Sequence, residues 1–160
     1  MEWFLQQGWH NHIQWSALLL TITATWLWGA APERLAGISI AGMLLFESGY
    51  HRVSPGGMSI ENLDALLAID LLATVAITWI AIRANRIYTL LLAALQMVSV
   101  LAHVARLIGP EVEPGVYALL AIGPTYPAIA VLAWGTWRHH RRVSRYGEYP
   151  SWTMAPPRVR

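Results

Sequence analysis

The chain of 160 residues contains no cysteine. Disulfides, thiolate metal ligands and cysteine-held iron–sulfur clusters are therefore excluded. Lysine is absent as well, and all eleven basic residues are arginine. Together with the abundant Ala and Gly, this usage suggests a GC-rich, bacterial coding sequence. Charge of either sign is scarce, at 12% of residues, where a soluble domain carries about 25%. No basic residue precedes Arg34, so the N-terminus lacks the basic region of a signal peptide. There is no internal repeat, phosphate-binding glycine loop or dinucleotide fingerprint. Ser48, Ser54 and Ser59 lie near His51 in sequence, but such proximity does not make a hydrolytic site.

What the chain does contain is apolar sequence, 56% of its residues, arranged in long runs. Lipid is the solvent that such a pattern implies. A spanning helix needs roughly 20 mainly apolar residues. The runs predict five spans, at about 13–30, 32–50, 62–82, 87–108 and 115–137. The expected fold is all-α: a transmembrane bundle over residues 1–137, followed by an Arg-rich tail over 138–160. The second span is the shortest, and a four-span bundle with a re-entrant segment there is the alternative. Gly37 and Ala41 give that span a small-residue face for close helix contact.

The punctuation between spans follows helix-end chemistry. Gly29 and Pro32 separate the first two spans, and Pro55-Gly56-Gly57 marks the longest internal loop. Ser59 is an N-cap candidate for the third helix. Arg83-Ala84-Asn85-Arg86 reads as a tight turn with Asn85 as the cap. Gly109-Pro110 stops the fourth helix, and Pro114 opens the fifth. Within the fifth, Gly123-Pro124 and Pro127 predict a kink, which neighbouring helices or a water-lined cavity must cover. The Pro-containing C-terminal stretch is expected to be extended or disordered.

Orientation follows from the arginines. Arg34, Arg83, Arg86 and six tail arginines fall on one side, against Arg52 and Arg106 on the other. Nine against two predicts a cytoplasmic C-terminus, and five spans then leave the N-terminus outside. Trp26, Trp28, Trp79, Trp134 and Trp137 fall at the inner border, and Trp3, Trp9 and Trp15 at the outer, where amphipathic rings settle. A bacterial inner-membrane protein is the expected location, with lipid, other membrane subunits or further copies of the chain as partners and no nucleic acid.

On this map the intramembrane polar residues gather in the outer half. Glu47 and His51 share a helix face. Asp70 lies on the third helix. On the fourth, Gln96, Ser99, His103 and Arg106 form one stripe. Charges at this depth cost on the order of 3 kcal/mol each, so they face inward and pair. Four readings compete. Asp70 or Glu47 pairs with Arg106 or a histidine as a structural clasp. His51, His103, Glu47 and Asp70 form a metal site, although no recognised ligand spacing is present. The carboxylates and histidine relay protons or ions. Facing His51 and His103 hold heme. The cofactor is left unknown. In the tail, Arg138, Arg141, Arg142 and Arg145, with His139 and His140, form a positive-inside anchor or a contact for anionic lipid or a partner. The functional expectation is a small non-enzymatic accessory or scaffold subunit. The alternatives are a proton- or ion-coupled transporter and a metal- or heme-binding redox subunit.

Overall fold

The computed structural model describes residues 9–54, 63–109 and 111–153. The Pro55-Gly56-Gly57 turn, the Ser59 cap, Trp3, Pro110, Pro156 and Pro157 lie outside the described residues. Among those described, the chain is helical: α1 Trp9–Trp28, α2 Ala31–Val53, α3 Leu63–Arg83, α4 Ile87–Ile108, α5 Pro114–Ile122 and α6 Thr125–Tyr146. Three helical stretches are long and apolar enough to cross a membrane: α3, α4 and the run Pro114–Tyr146 formed by α5 and α6. α1 and α2 have 20 and 23 residues but carry more polar side chains.

Local chemistry sets the helix ends. Pro32 lies in the first turn of α2, where its missing N–H costs nothing. Glu33, in the same turn, reaches back to accept the Ala30 amide at 3.0 Å, half of a capping box. The residue that caps α4 is Arg86, extended at φ −145°, rather than Asn85. Asn85 is engaged elsewhere, its amide donating to Ser151 O at 3.2 Å. α4 stops at Gly109, whose amide donates to Ala105 O. Glu113 caps α5, accepting from the Val116 amide at 2.8 Å. α6 ends at Gly147, whose φ of +79° favours glycine. The expected kink lies at Gly123–Pro124, between α5 and α6. A neighbour covers it: Ser99 Oγ on α4 donates to Ala121 O at 2.9 Å.

The core is built jointly. Leu18, Ile40, Ile77, Leu92 and Leu132, from α1, α2, α3, α4 and α6, are all within 1% of complete burial. In lipid such contacts stabilise through van der Waals packing, because acyl chains are as apolar as leucine. A smaller cluster of Leu63, Ala102 and Tyr117 joins α3, α4 and α5. The outer surface is also apolar. Leu20, Phe46, Leu72 and Ile82 are more than 70% exposed, on a scale that a soluble monomer rarely shows.

The segment after α6 is ordered further than its composition suggests. Ala84 and Trp152 form an isolated antiparallel bridge. Thr153 donates to Arg83 O through both its amide and its hydroxyl, at 2.9 and 3.0 Å. Trp152 packs beside Trp79 with ring centroids 5.9 Å apart. Residues 147–153 therefore run back across the turn between α3 and α4. α6 itself runs nine residues past the expected end of the fifth span at 137, so the first part of the expected tail is helix.

Candidate functional site

Two polar layers sit inside the bundle, one towards each end. The first contains Asp70, 1% exposed on α3. Its Oδ2 lies 3.0 Å from His103 Nε2 on α4, and its Oδ1 accepts from Gln96 Nε2 at 3.2 Å. Gln96 Nε2 also lies 3.1 Å from Met43 Sδ on α2. His103 Nδ1 meets the Tyr117 hydroxyl of α5 at 2.9 Å. A carboxylate only accepts, so Nε2 carries a hydrogen and donates to Asp70. In the neutral ring Nδ1 then accepts from Tyr117, which completes an Asp70–His103–Tyr117 chain across three helices.

Glu47, half-buried on α2, is the second carboxyl of this layer, close enough to Asp70 for the two to interact electrostatically. The remaining expected members go elsewhere. His51, one turn beyond Glu47, is exposed. Arg106 donates to Val112 O and lies over the Tyr117 ring at 5.7 Å, so it stitches α4 to the following loop. Among the described residues the basic side chain within 4 Å of an Asp70 oxygen is His103. No group of three or more His, Asp or Glu is arranged to hold a metal among the described residues.

The second layer has Glu33 at its centre, with no solvent exposure. Arg86 Nε lies 3.1 Å from Glu33 Oε1, and the Tyr88 hydroxyl donates to the same oxygen at 2.8 Å. Arg86 Nη2 is 3.1 Å from His139 Nδ1 on α6, and Tyr149 Oη is 3.0 Å from the same nitrogen. Arg86 and Arg142 stack on the Tyr149 ring at 4.4 and 4.2 Å. This network joins the starts of α2 and α4 to α6 and the segment beyond it.

Sequence reasoning passes over the Glu33 network because its members look conventional singly. Glu33 resembles a first-turn acid, and Arg86 a positive-inside residue. One signal does exist. On the parity map only Glu33 and Glu148, of nine acidic residues, share the Arg-rich side. A carboxylate among so many guanidiniums, next to an apolar run, is a candidate for a buried pair.

Around this second layer the arginines meet aromatic rings. Arg34 lies over Trp26, Arg83 over Trp79, Arg138 over Trp134 and Arg141 over Trp137, at 4.9–5.3 Å. His140 lies against Trp28 at 5.6 Å. All five tryptophans expected at the inner border thus have a basic neighbour. Between α4 and α6 there is a cleft of about 1040 Å³, and Arg138, Arg141, Arg142 and Arg145 all line it.

Outside the apolar helices, Glu113 is a carboxylate with a defined shift. The Gly115 and Val116 amides point at it and hold its pKa below the ordinary glutamate range. Compared with known protein families, curated proteins and solved structures, the chain matches none.

Proposed function

We propose that this chain is a five-span protein of the bacterial inner membrane, with its N-terminus outside and its C-terminus cytoplasmic, serving as a small non-enzymatic subunit of a larger membrane assembly. The observation that carries this reading is the closure of the Asp70 site. Both carboxylate oxygens are taken by side chains of the same molecule, Gln96 and His103. A group held in this way on two sides acts as a clasp between α3 and α4, as buried polar groups in membrane bundles usually do. The large apolar outer surface and the ordered Arg-rich end suit a protein whose surfaces do the work. The deciding experiment is mild solubilisation from native membranes. The proposal expects co-migration with a larger complex; a protein that runs alone at endogenous levels overturns it.

One observation favours a second reading, proton-coupled transport. Glu47, half-buried, interacts electrostatically with Asp70, and His103 and Tyr117 extend the chain of exchangeable groups. In proteoliposomes this reading expects a pH-gradient-driven flux that Asp70→Asn abolishes. The accessory reading expects no flux from either protein, and a loss of thermal stability in the variant.

A further inference from the structure

The cleft between the start of α4 and the second half of α6 is amphipathic along its length. Its apolar lining includes Leu90, Leu91 and Trp134, each about half exposed. Its basic lining is Arg138, Arg141, Arg142 and Arg145, with Arg86 beside them. Trp134 and Arg145 are eleven residues apart on α6, roughly 16 Å at 1.5 Å per residue. Among the described residues that line the cleft there is no carboxylate. Arg86 is already held by Glu33, and Arg142 by the Tyr149 ring. These two build the wall. The Arg138 and Arg141 guanidiniums lie over the Trp134 and Trp137 rings, at 4.9 and 5.3 Å from the ring centroids, and a cation over a ring still has N–H donors to offer. Guanidinium donors match phosphate oxygens in pairs.

We propose that this cleft binds one anionic phospholipid, its phosphate between Arg138, Arg141 and Arg145 and its acyl chains along Leu90, Leu91 and Trp134. Charge complementarity selects an anion, because four guanidiniums lining one cleft repel one another. The apolar lining selects lipid over a free anion, which would leave that lining bare. The cleft's volume lies at the upper end of ligand-sized cavities, about 300–1,000 Å³, and suits a headgroup with its glycerol and first methylenes. Basic pockets between helices on the cytoplasmic side of a membrane are suited to such headgroups.

The inference rests on the reading that this end of the bundle faces the cytoplasmic leaflet. Labelling of a single cysteine at Ser144→Cys tests that orientation separately, so failure of the one is distinguishable from failure of the other. The test of the cleft uses the full chain in detergent micelles, supplemented with phosphatidylglycerol, phosphatidylcholine or inorganic phosphate. Phosphatidylglycerol should raise the thermal midpoint by roughly 5 °C at saturation, with phosphatidylcholine and phosphate producing little. Arg141→Gln with Arg145→Gln, both exposed positions, should lose most of that rise. Arg34→Gln with Arg83→Gln removes the same charge at the same end but outside the cleft, and should keep it. An equal rise with phosphatidylcholine, a full rise with phosphate alone, equal loss in both double variants, or no effect of phosphatidylglycerol overturns the proposal. Should the first variant not fold, lipid co-purifying with the wild-type chain decides. Enrichment of anionic lipid over its share in the membrane is expected, and bulk proportions overturn the proposal.

Discussion

Replacing Glu33 with alanine removes one acceptor from three donors: the Arg86 guanidinium, the Tyr88 hydroxyl and the Ala30 amide. Arg86 then remains as a buried cation without its counter-charge. Breaking a buried pair from one side costs about 3–5 kcal/mol, so Glu33→Ala should unfold at clearly lower denaturant than wild type. Tyr88→Phe removes only one hydrogen bond to a charged group, worth about 1.5–3 kcal/mol, and should fall between the two. A Glu33→Ala variant as stable as wild type would remove the network from the account of the fold. Glu113 offers a residue-scale test in pH. Its pKa is lowered in the folded chain, so its capping contribution is complete above the ordinary carboxylate range and is lost as pH falls through the lowered value. Carboxyl NMR should place its titration below that of free glutamate, and Gln at this position should remove that pH dependence. In the sequence, Asp70 and His103 stand out because each interrupts an apolar run. Glu33 does not, because it sits at a helix start where an acid is ordinary.

Gly135 shows how one element constrains another. A Cβ there would lie 2.7 Å from three atoms of the Tyr88 ring, so α4 and α6 approach closely only because the side chain is absent. Gly135→Ala should cost about 1–3 kcal/mol through overpacking. It should also push the Tyr88 hydroxyl away from Glu33, so combined with Tyr88→Phe the losses should be less than additive. Strict additivity in thermal or denaturant unfolding would argue against that coupling. At this scale the three membrane-length apolar stretches were legible from hydropathy, and the helix ends from Pro and Gly punctuation: the break at 123–124 and the stop at Gly109 fall where those residues stand. The cap of α4 was not. Asn85 has the better capping side chain, but its backbone is committed to Ser151, a contact 66 positions distant that local propensity cannot report.

At the scale of the whole molecule, two ends of the bundle carry different chemistry. One gathers Glu33, Arg86, His139 and the arginine–tryptophan pairs; the other gathers Glu47, Asp70, His103 and Tyr117. The absence of native cysteine makes orientation directly measurable. An impermeant maleimide applied to spheroplasts should label Glu111→Cys, and Ser144→Cys only after lysis; the opposite pattern would invert the proposed topology. The segment after α6 gives a second global test. A chain ending at Tyr146 loses Tyr149, Trp152 and the paired contacts on the α3–α4 turn. It should melt several degrees lower and admit protease at residues 83–86, whereas an unchanged melt would mean that the segment only rests on the surface.

Composition and periodicity alone determined that this chain is helical and that several of its helices suit lipid, because both properties depend on local residue content. They also brought out Asp70, Gln96 and His103 as a group, since helical spacing puts Gln96 and His103 on one face and cost at depth demands a partner for Asp70. Which groups pair was decided only by the tertiary packing. Several partners lay within helical reach, and side-chain direction and helix height chose among them. Arg106 turned outward to the Val112 carbonyl, His51 stood one turn too far out, and Tyr117 came from the fifth expected span, which contributes no residue to the polar layer read from sequence. The same packing created the Glu33 network and the arginine-lined cleft, because both join residues more than 40 positions apart.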